Sequence, residues 1–441
     1  MTKQEQPTYS NTYKGYVLLI LTGVYTFNFI DRQILVILQE SIKSELGLSD
    51  TQLGLLTGLT FALFYVTLGI PIARLADKSN RRNIVALSLA VWSAMTALSG
   101  LAANFTQLLL ARIGVGVGEA GGSPPSHSMI SDYFPPEKRA TALSIYSVGI
   151  YIGILVGYSL GGWLDQNYGW RIALMALGIP GIVYALLLLI TVKEPPKGLS
   201  DAIALKKEKG TGEKEDPSIL TESSFGDVVK LLLSKKTFVF LALGCGFRTF
   251  GNYGVGNFFA PFLARVHNMD SLAIGAALGL ATGVGGMIGT FAGGFLADKL
   301  GKKDIRWYLW IAVVAEFLIV IPSYVAFFSD NTSYVLYMFF LTSLFSAIYL
   351  GPCIAVTHNL VNAKMRALSS AILFLVLNLI GLGLGPLGIG WISDYLAPTY
   401  GVESLRYSFC FSFITGGIAL VLFWLAAKSY PEDLRKSQAL K

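Results

Sequence analysis

Apolar residues along this chain gather in runs of roughly 20, separated by short charged or Pro- and Gly-bearing breaks, with none of the strict alternation of a half-buried strand. A helix of that length rises 1.5 Å per residue and crosses about 30 Å of hydrocarbon. The runs predict spans near 15–38, 52–73, 83–103, 106–130, 140–163, 172–192, 237–263, 272–297, 307–328, 334–358, 367–393 and 407–427. Between the sixth and seventh lies the one long polar connection, 193–236, opened by Glu194-Pro195-Pro196 and rich in Lys and Glu through Asp216. The pattern therefore predicts an all-α membrane protein of twelve transmembrane helices in two six-helix halves, residues 1–192 and 237–441, joined by a solvated linker. The end of that linker sets Phe225, Val228, Val229 and Leu232 at helical spacing with Lys on the other side, as in an amphipathic surface helix; a plain loop is the alternative reading.

Composition agrees and narrows the class. Of 441 residues, 53% are hydrophobic and 14% charged, with a mean hydropathy of +0.58, against about 25% charged in soluble domains. The net charge of +7 does not point to nucleic acid, because 27 of the 34 Lys and Arg fall in the termini, the linker and the breaks on one side of the predicted membrane. Only Lys43, Arg171, Arg265 and Arg406 fall in loops on the other side. That asymmetry predicts cytoplasmic termini and linker, and in a bacterium the inner membrane. The first apolar run is over twenty residues long and carries Asp31 and Arg32, unlike a cleaved signal, so the amino terminus is expected to be retained.

Cys245, Cys353 and Cys410 each lie in an apolar stretch and read as small core residues. His127, His267 and His358 lack ligand-like spacing, so no metal is expected; His127 beside the end of span 4 is a minor candidate for helping proton movement. Gly157-Tyr158-Ser159-Leu160-Gly161 matches a hydrolase elbow only as a string, since it lies inside an apolar helix. The Gly116-x-Gly118-x-x-Gly121 string is membrane packing surface rather than a dinucleotide fingerprint. No nucleotide or other cofactor is implied, no enzyme is expected, and energy must come from an ion or substrate gradient. Asn104 and Asn331 open sequons in loops predicted to lie outside.

The two halves repeat. Ala73-x-x-x-Asp77-Lys78-x-Asn80-Arg81-Arg82 after span 2 matches Gly294-x-x-x-Asp298-Lys299-x-Gly301-Lys302-Lys303 after span 8. Gly153-x-x-x-Gly157-Tyr158 with Gly161-Gly162-Trp163 in span 5 matches Gly381-x-x-x-Gly385-Pro386 with Gly390-Trp391 in span 11. Internal repeats of this kind build transport sites near the bilayer midplane. Over essentially the whole chain the sequence resembles a major facilitator superfamily transporter, with Ala73 and Asn80 in place of that signature's usual glycines and Tyr158 where its antiporters usually carry proline. More narrowly, Phe29-Ile30-Asp31-Arg32, Arg112-x-x-x-Gly116-x-Gly118-Glu119-Ala120 and Ser123-Pro124-Pro125 resemble the Spinster family, whose animal members are implicated in exporting sphingosine 1-phosphate or lysophospholipids. The resemblance implies pseudo-two-fold bundles, a cavity lined by spans 1, 4, 7 and 10, and alternating access. It also implies an amphipathic lipid-like substrate; the residues equally permit a small soluble organic anion or drug.

Six charges lie inside spans: Asp31, Arg32, Arg112, Glu119, Arg248 and Glu316. Each costs about 2.5–3.5 kcal/mol at a helix centre unless it meets a partner or water. Helical rise puts Asp31, Arg32 and Arg112 at matching depth, with Glu119 two turns beyond Arg112 on the same face. Asp31 and Glu119 are the expected proton acceptors, with Arg112 as switching partner. Arg32, Arg112 and Arg248 are expected to receive an anionic group. Five of the charges, counted as cavity-lining, sum to net positive. Asn252, Tyr253, Tyr349 and Asn378 are candidate substrate contacts, within a lining that includes Phe27, Phe29, Phe258 and Phe374. Asp77, Arg81, Arg82, Arg139, Asp298, Lys299 and Arg366 are expected to form a cytoplasmic gate. The expected partners are the bilayer, an amphipathic small molecule and protons, with the chain acting as a monomer.

Overall fold

The computed structural model describes residues 9–200, 225–362 and 365–438. Among the described residues the chain passes back and forth twelve times, all in helices. They are α1 (Asn11–Ile37), α2 (50–78), α3 (Arg81–Ser99), α4 (105–133), α5 (136–168), α6 (170–191), α7 (Lys236–His267), α8 (271–301), α9 (Trp307–Phe328), α10 (332–359), α11 (366–400) and α12 (404–438). Helices α5 and α6 form one helical run, Pro136–Thr191, broken by Gly169 at φ 81° and ψ 163°. That conformation suits a residue without Cβ, so a single glycine replaces the short loop read between spans five and six.

Polar residues just outside the apolar runs start the helices. Ser10, Asn80, Asn104, Asp270 and Asn331 each accept a backbone N–H at the first turn of α1, α3, α4, α8 and α10, satisfying donors that helix starts leave free. Asn104 and Asn331, the sequon asparagines, thus serve as caps. Three helices carry a π-helical turn: Leu55–Leu59 in α2, Gly279–Gly285 in α8 and Asn378–Gly383 in α11.

Within the first half α1 packs on α5, and α3 on α4 and α6; in the second half α7 packs on α12, and α9 on α10 and α12. The halves meet along α2 with α11 and α5 with α8. Glycines allow that approach. A Cβ at Gly54 would run into the Pro386 carbonyl, one at Gly162 into the Ser271 carbonyl, and one at Gly275 into the Tyr158 carbonyl, the small-residue packing that membrane helices favour. Large apolar side chains such as Leu19, Phe291, Phe295, Phe317 and Ile321 remain exposed on the outside, where lipid covers them.

Both ends of the described chain lie at one end of the bundle, the terminal end: the Tyr9 ring lies 5.0 Å from that of Tyr133 at the close of α4, and Asp433 of α12 accepts from Thr237 at the start of α7. The opposite end is called the far end. A helix, Phe225–Leu233, precedes α7 and buries Val228 and Leu232 against it. The charged stretch of the linker, 201–224, lies outside the described residues, as do the side chains of Phe225 and Asp77.

Candidate functional site

Helix α1 carries Asp31 and Arg32, and α4 carries Arg112 and Glu119. The first part of α4 ends at Glu119, and the chain resumes helix at Ser123. Gly118 packs against Trp92, and a Cβ at Gly121 would strike Ser88, so this glycine-rich break brings α3 and α4 together beside the charges. Arg32 reaches over from α1: its Nε and its Nη2 each lie 2.7 Å from Glu119 Oε2. The Arg32 guanidinium also stands 5.1 Å from the Phe29 ring centre, 4.8 Å from Phe61 and 5.1 Å from Tyr65. Arg112 lies 5.9 Å from the Phe61 ring centre, so one ring serves both cations.

Asp31, Arg112 and Glu119 are 0%, 3% and 1% exposed. Both Asp31 oxygens, Arg112 Nε and Glu119 Oε1 make no hydrogen bond with any described residue. Ser93 and Thr96 of α3 face the Asp31 carboxyl, and Asn28 stands beside Glu119. All four expected charges of the first half therefore converge, but the pairing differs from the sequence reading. Glu119 takes Arg32 as its ion-pair partner, and Arg112, near enough to interact electrostatically with both carboxylates, forms no ion pair with either. The reason is axial: seven residues separate Arg112 from Glu119 on one helix, about 10 Å, whereas Arg32 arrives from a neighbouring helix at the level of Glu119.

The second half disposes of its charges differently. Arg248 Nε of α7 lies 2.9 Å from Glu316 Oε1 of α9, with side chains 8% and 3% exposed. Arg248 is thus engaged by a carboxylate that the sequence reading left outside the cavity. With Glu316 counted, three guanidiniums stand against three carboxylates, which removes the net positive sum expected for the site. Tyr349 is buried with Cys245 and Cys353 close to this pair, and Phe258 is fully buried in the core. Tyr253 leans against the first half, beside Arg32. Asn378 opens the π-turn of α11, and Asn252 is exposed on α7. Phe374 is 39% exposed and Phe27 partly buried.

Six of the seven expected gate residues have described side chains, and these separate. Arg81 is 2% exposed and bonds within its own half: to Asp132 at 2.5 Å, Ser128 at 2.8 Å, Glu194 at 2.7 Å and the Pro195 carbonyl at 2.8 Å. The backbone N–H of Arg82 donates to Glu194 at 2.8 Å. Arg139 donates to the Ser131 and Phe134 carbonyls at 3.0 and 3.2 Å. Asp298 accepts from Tyr308 of α9 at 3.1 Å, Lys299 lies 5.8 Å from the Phe295 ring centre, and Arg366 is exposed. These contacts knot α3, the end of α4 and the start of the linker together, and on the other side α8 to α9.

The aromatic residues around Arg32 were only partly foreseen. Phe29 and Tyr253 were read as lining, but Phe61 and Tyr65 of α2 were not, because nothing in an apolar run marks which aromatic will lie under a cation. The missed signal is spacing: Phe61 and Tyr65 lie four residues apart, one turn, on one helix face, and stack at 5.6 Å. Among the described residues no group of three or more His, Cys, Asp or Glu side chains is placed to hold a metal ion.

Comparison with known proteins gives this arrangement a family. The Major Facilitator Superfamily model matches residues 21–320. An MFS-type efflux pump of Mycolicibacterium smegmatis is 32% identical over 94% of this chain and 93% of its own length. The sphingosine-1-phosphate transporter SPNS2 of Danio rerio is 26% identical over 92% of this chain and 81% of its own. The crystal structure of a bacterial homologue of the human lysosomal transporter Spinster, inward-facing and unoccupied, superposes with a TM-score of 0.86 at 33% identity, covering 96% of this chain and 99% of that one. A chain so matched is an integral, multi-pass membrane transporter rather than an enzyme; it belongs to the major facilitator superfamily and, within it, is similar to the Spinster transporters.

Proposed function

We propose that this transporter works by alternating access, couples to protons, and moves an amphipathic anionic or zwitterionic lipid-like molecule of the lysophospholipid or sphingosine-phosphate class. The observation that carries the reading is the Arg32–Glu119 pair beside an Asp31 carboxyl that has no hydrogen bond from any described residue. Taking one member away from a buried ion pair costs about 3–5 kcal/mol, because the other charge stays behind unpaired. A proton arriving at Glu119 therefore leaves Arg32 in need of a new anion, and a phosphate or carboxylate suits its guanidinium. Proton and substrate head group thus exchange for the ion pair together, which is coupling. Asp31 is the second acceptor, and Arg112 balances whichever carboxylate remains charged. Phe29, Phe61, Tyr65 and Tyr253 offer apolar and aromatic surface next to the head-group site, fitting a molecule with a hydrocarbon part.

The same reading places the termini and linker in the cytoplasm, from the distribution of Lys and Arg, and in a bacterium puts the protein in the inner membrane, acting as a monomer. A second substrate reading, a small soluble organic anion or drug, is favoured by one observation: the efflux-pump relative is more similar, at 32%, than the sphingosine-1-phosphate transporter, at 26%. Uptake into proteoliposomes separates the two. Labelled lysophospholipid and a labelled small organic anion are offered with and without an imposed pH gradient. Gradient-driven accumulation of the lipid alone supports the first reading; accumulation of the small anion alone replaces the substrate class; equal, gradient-insensitive entry of either removes proton coupling.

A further inference from the structure

We infer that His127, Ser123, Tyr25 and Tyr146 form a proton relay between water at the terminal end and the Glu119 carboxylate, and that this relay, rather than water reaching the buried pair directly, sets how fast Glu119 is protonated. The inference rests on the reading of Glu119 as a proton acceptor and adds the route by which the proton arrives.

The need for a route comes from burial and distance. The Glu119 side chain is fully covered, and the Arg32 side chain that pairs with it is only 18% exposed. Water at the terminal end meets His127 instead, an exposed residue six positions before Tyr133 at the close of α4. Eight positions separate Glu119 from His127, about 12 Å along a helix, well beyond the reach of one hydrogen bond. Ser123 stands midway, four positions from each. Glu119 closes the first part of α4 and Ser123 opens the second, with the Gly122 N–H donating to the Glu119 carbonyl at 3.0 Å across the turn between them. Within the second part, a spacing of four puts Ser123 and His127 on one face.

Neighbouring helices complete the row. Tyr25 of α1 and Tyr146 of α5 stack with ring centres 4.4 Å apart and 7° between planes, and His127 meets Tyr146 edge-on at 5.2 Å. The Ser123 hydroxyl faces the hydroxyls of both tyrosines. Ser126, the other hydroxyl facing Tyr146, is committed to the Gly122 carbonyl at 2.7 Å. Tyr25 precedes Arg32 by seven positions on α1, about 10 Å, so α1 covers nearly the same drop as α4 does between Glu119 and His127. The Tyr25 ring packs on Phe29 at 5.3 Å, and Phe29 lies in turn beside the Arg32 guanidinium. Tyr65 of α2 stands near both Tyr25 and Arg32.

The groups that act on Glu119 are Arg32, Asn28 and Asp31 of α1 and Arg112 of its own helix. A guanidinium keeps its protons and has no acceptor, and Asp31 is as buried as Glu119, so none of these carries a proton in from outside. Hydroxyls and a neutral imidazole both accept and donate. A proton from the terminal-side water adds to the free ring nitrogen of His127. Inward of it each hydroxyl oxygen accepts one proton and releases the one it carried, so Ser123, Tyr25 and Tyr146 end unchanged except that their O–H bonds have turned. Bridging water completes the steps that side chains do not span. The last proton moves to Glu119 Oε1, the oxygen with no hydrogen bond from any described residue, and forms a carboxylic acid, while His127 returns to the neutral ring. One proton has passed from water to Glu119, and Arg32 is left free to take a new anion.

The test follows Glu119 itself, in the full chain in lipid nanodiscs, without substrate. From an alkaline start, a photoreleased proton jump is applied, and time-resolved infrared spectroscopy records the carboxylic acid band that Glu119→Gln removes. His127→Ala should slow the rise of that band about tenfold, a share of the roughly 10²–10⁴-fold that positioned proton transfer contributes. Added imidazole should restore the rate in His127→Ala, which a merely structural histidine would not allow. Ser123→Ala and Tyr25→Phe should slow the rise by less, since water can stand in for one hydroxyl. Two milder variants, His127→Gln and Tyr146→Phe, keep the question answerable if the others do not fold, and should slow it in the same direction. An unchanged rate in every variant that folds overturns the relay and leaves Glu119 an acceptor reached by water alone. A native chain with no such band overturns the relay and the acceptor role together. A slowed band rescued by imidazole, alongside gradient-insensitive uptake, sustains the relay and removes the coupling reading instead.

Discussion

The two halves of this molecule meet the same difficulty, charge inside a membrane, in two ways. In the second half one guanidinium and one carboxylate, Arg248 and Glu316, face each other at 2.9 Å between α7 and α9 and are buried together. In the first half four charges share the space between α1 and α4, and only Arg32 and Glu119 are in contact. Asp31 makes no hydrogen bond with any described residue although the hydroxyls of Ser93 and Thr96 face it, and Arg112 lies 5.9 Å from the Phe61 ring centre. Both members of the second-half pair have an ion-pair partner, although Arg248 Nε makes no aligned hydrogen bond, whereas in the first half Asp31 and Arg112 have no ion-pair partner among the described residues. A closed pair has little reason to change with a proton or a ligand, whereas a cluster with an unbonded carboxylate and a shared aromatic support has several arrangements of similar cost. The difference teaches where to look for coupling: at the charges whose partners are incomplete, rather than at buried charge as such.

Substitutions that remove one carboxylate from each half test this contrast, and the largest effect is expected in the first. Glu119→Gln leaves Arg32 without its partner, and gradient-driven accumulation should disappear, while counterflow of substrate down its own gradient persists in the same vesicles. Glu316→Gln strands Arg248 and should lower stability by about 3–5 kcal/mol, seen as a fall in thermal midpoint in detergent. Replacing both members, Arg248→Met with Glu316→Leu, should restore or exceed the original midpoint, since apolar replacements of buried pairs are often neutral or stabilising by about 1–4 kcal/mol. A double variant still as unstable as the single one would show that the pair does more than neutralise itself.

Smaller effects sharpen the picture at its edges. Tyr65→Leu removes one of the three rings around Arg32; with a cation–π contact near about 0.5–1 kcal/mol, substrate affinity measured by titration should drop about two- to fivefold. Glu45 lies outside the membrane-spanning segments, and hydrogen bonds from Arg171 and then Trp170 hold its carboxyl below the usual range. A depressed carboxyl contributes stability that is full above the ordinary glutamate range and is lost as pH falls through the depressed value. Glu45→Gln should therefore match the native midpoint in strong acid and fall slightly below it at neutral pH, the smallest change of the set because the contact is exposed.

Much of this was legible in the sequence. The twelve spans could be read because a membrane helix must be apolar along its whole length. The depth of Asp31, Arg32 and Arg112 followed from the rise of a helix, and those residues do converge. Partner choice was not legible. Nothing in the spacing of Arg112 and Glu119 says that Arg32 will intervene, and nothing in α9 alone says that Glu316 turns inward to Arg248. At the far end Arg265 of α7 pairs with Asp50, and Asp394 of α11 accepts the Asp50 N–H; these contacts were hidden for a different reason. Asp50, Arg265 and Asp394 stand at the edges of apolar runs, where single charges are ordinary, and only the packing of α2 on α11 brings residues 344 positions apart into one cap. The glycines quoted from α5 and α11 hinted at close seams between the halves, since a Cβ on Gly390 would meet the Asp50 carbonyl of α2 and one on Gly162 the Ser271 carbonyl of α8.

The central claim is that the Arg32–Glu119 pair is the one that changes in transport and that Arg248–Glu316 is fixed. The most direct test compares the gradient response of lysophospholipid uptake in proteoliposomes holding the native chain, Glu119→Gln, or Arg248→Met with Glu316→Leu, at matched protein content. The account predicts that an imposed pH gradient still drives accumulation in the second-half double variant and has no effect in Glu119→Gln. The reverse result, a gradient response surviving Glu119→Gln and lost when Arg248 and Glu316 are replaced, would contradict it.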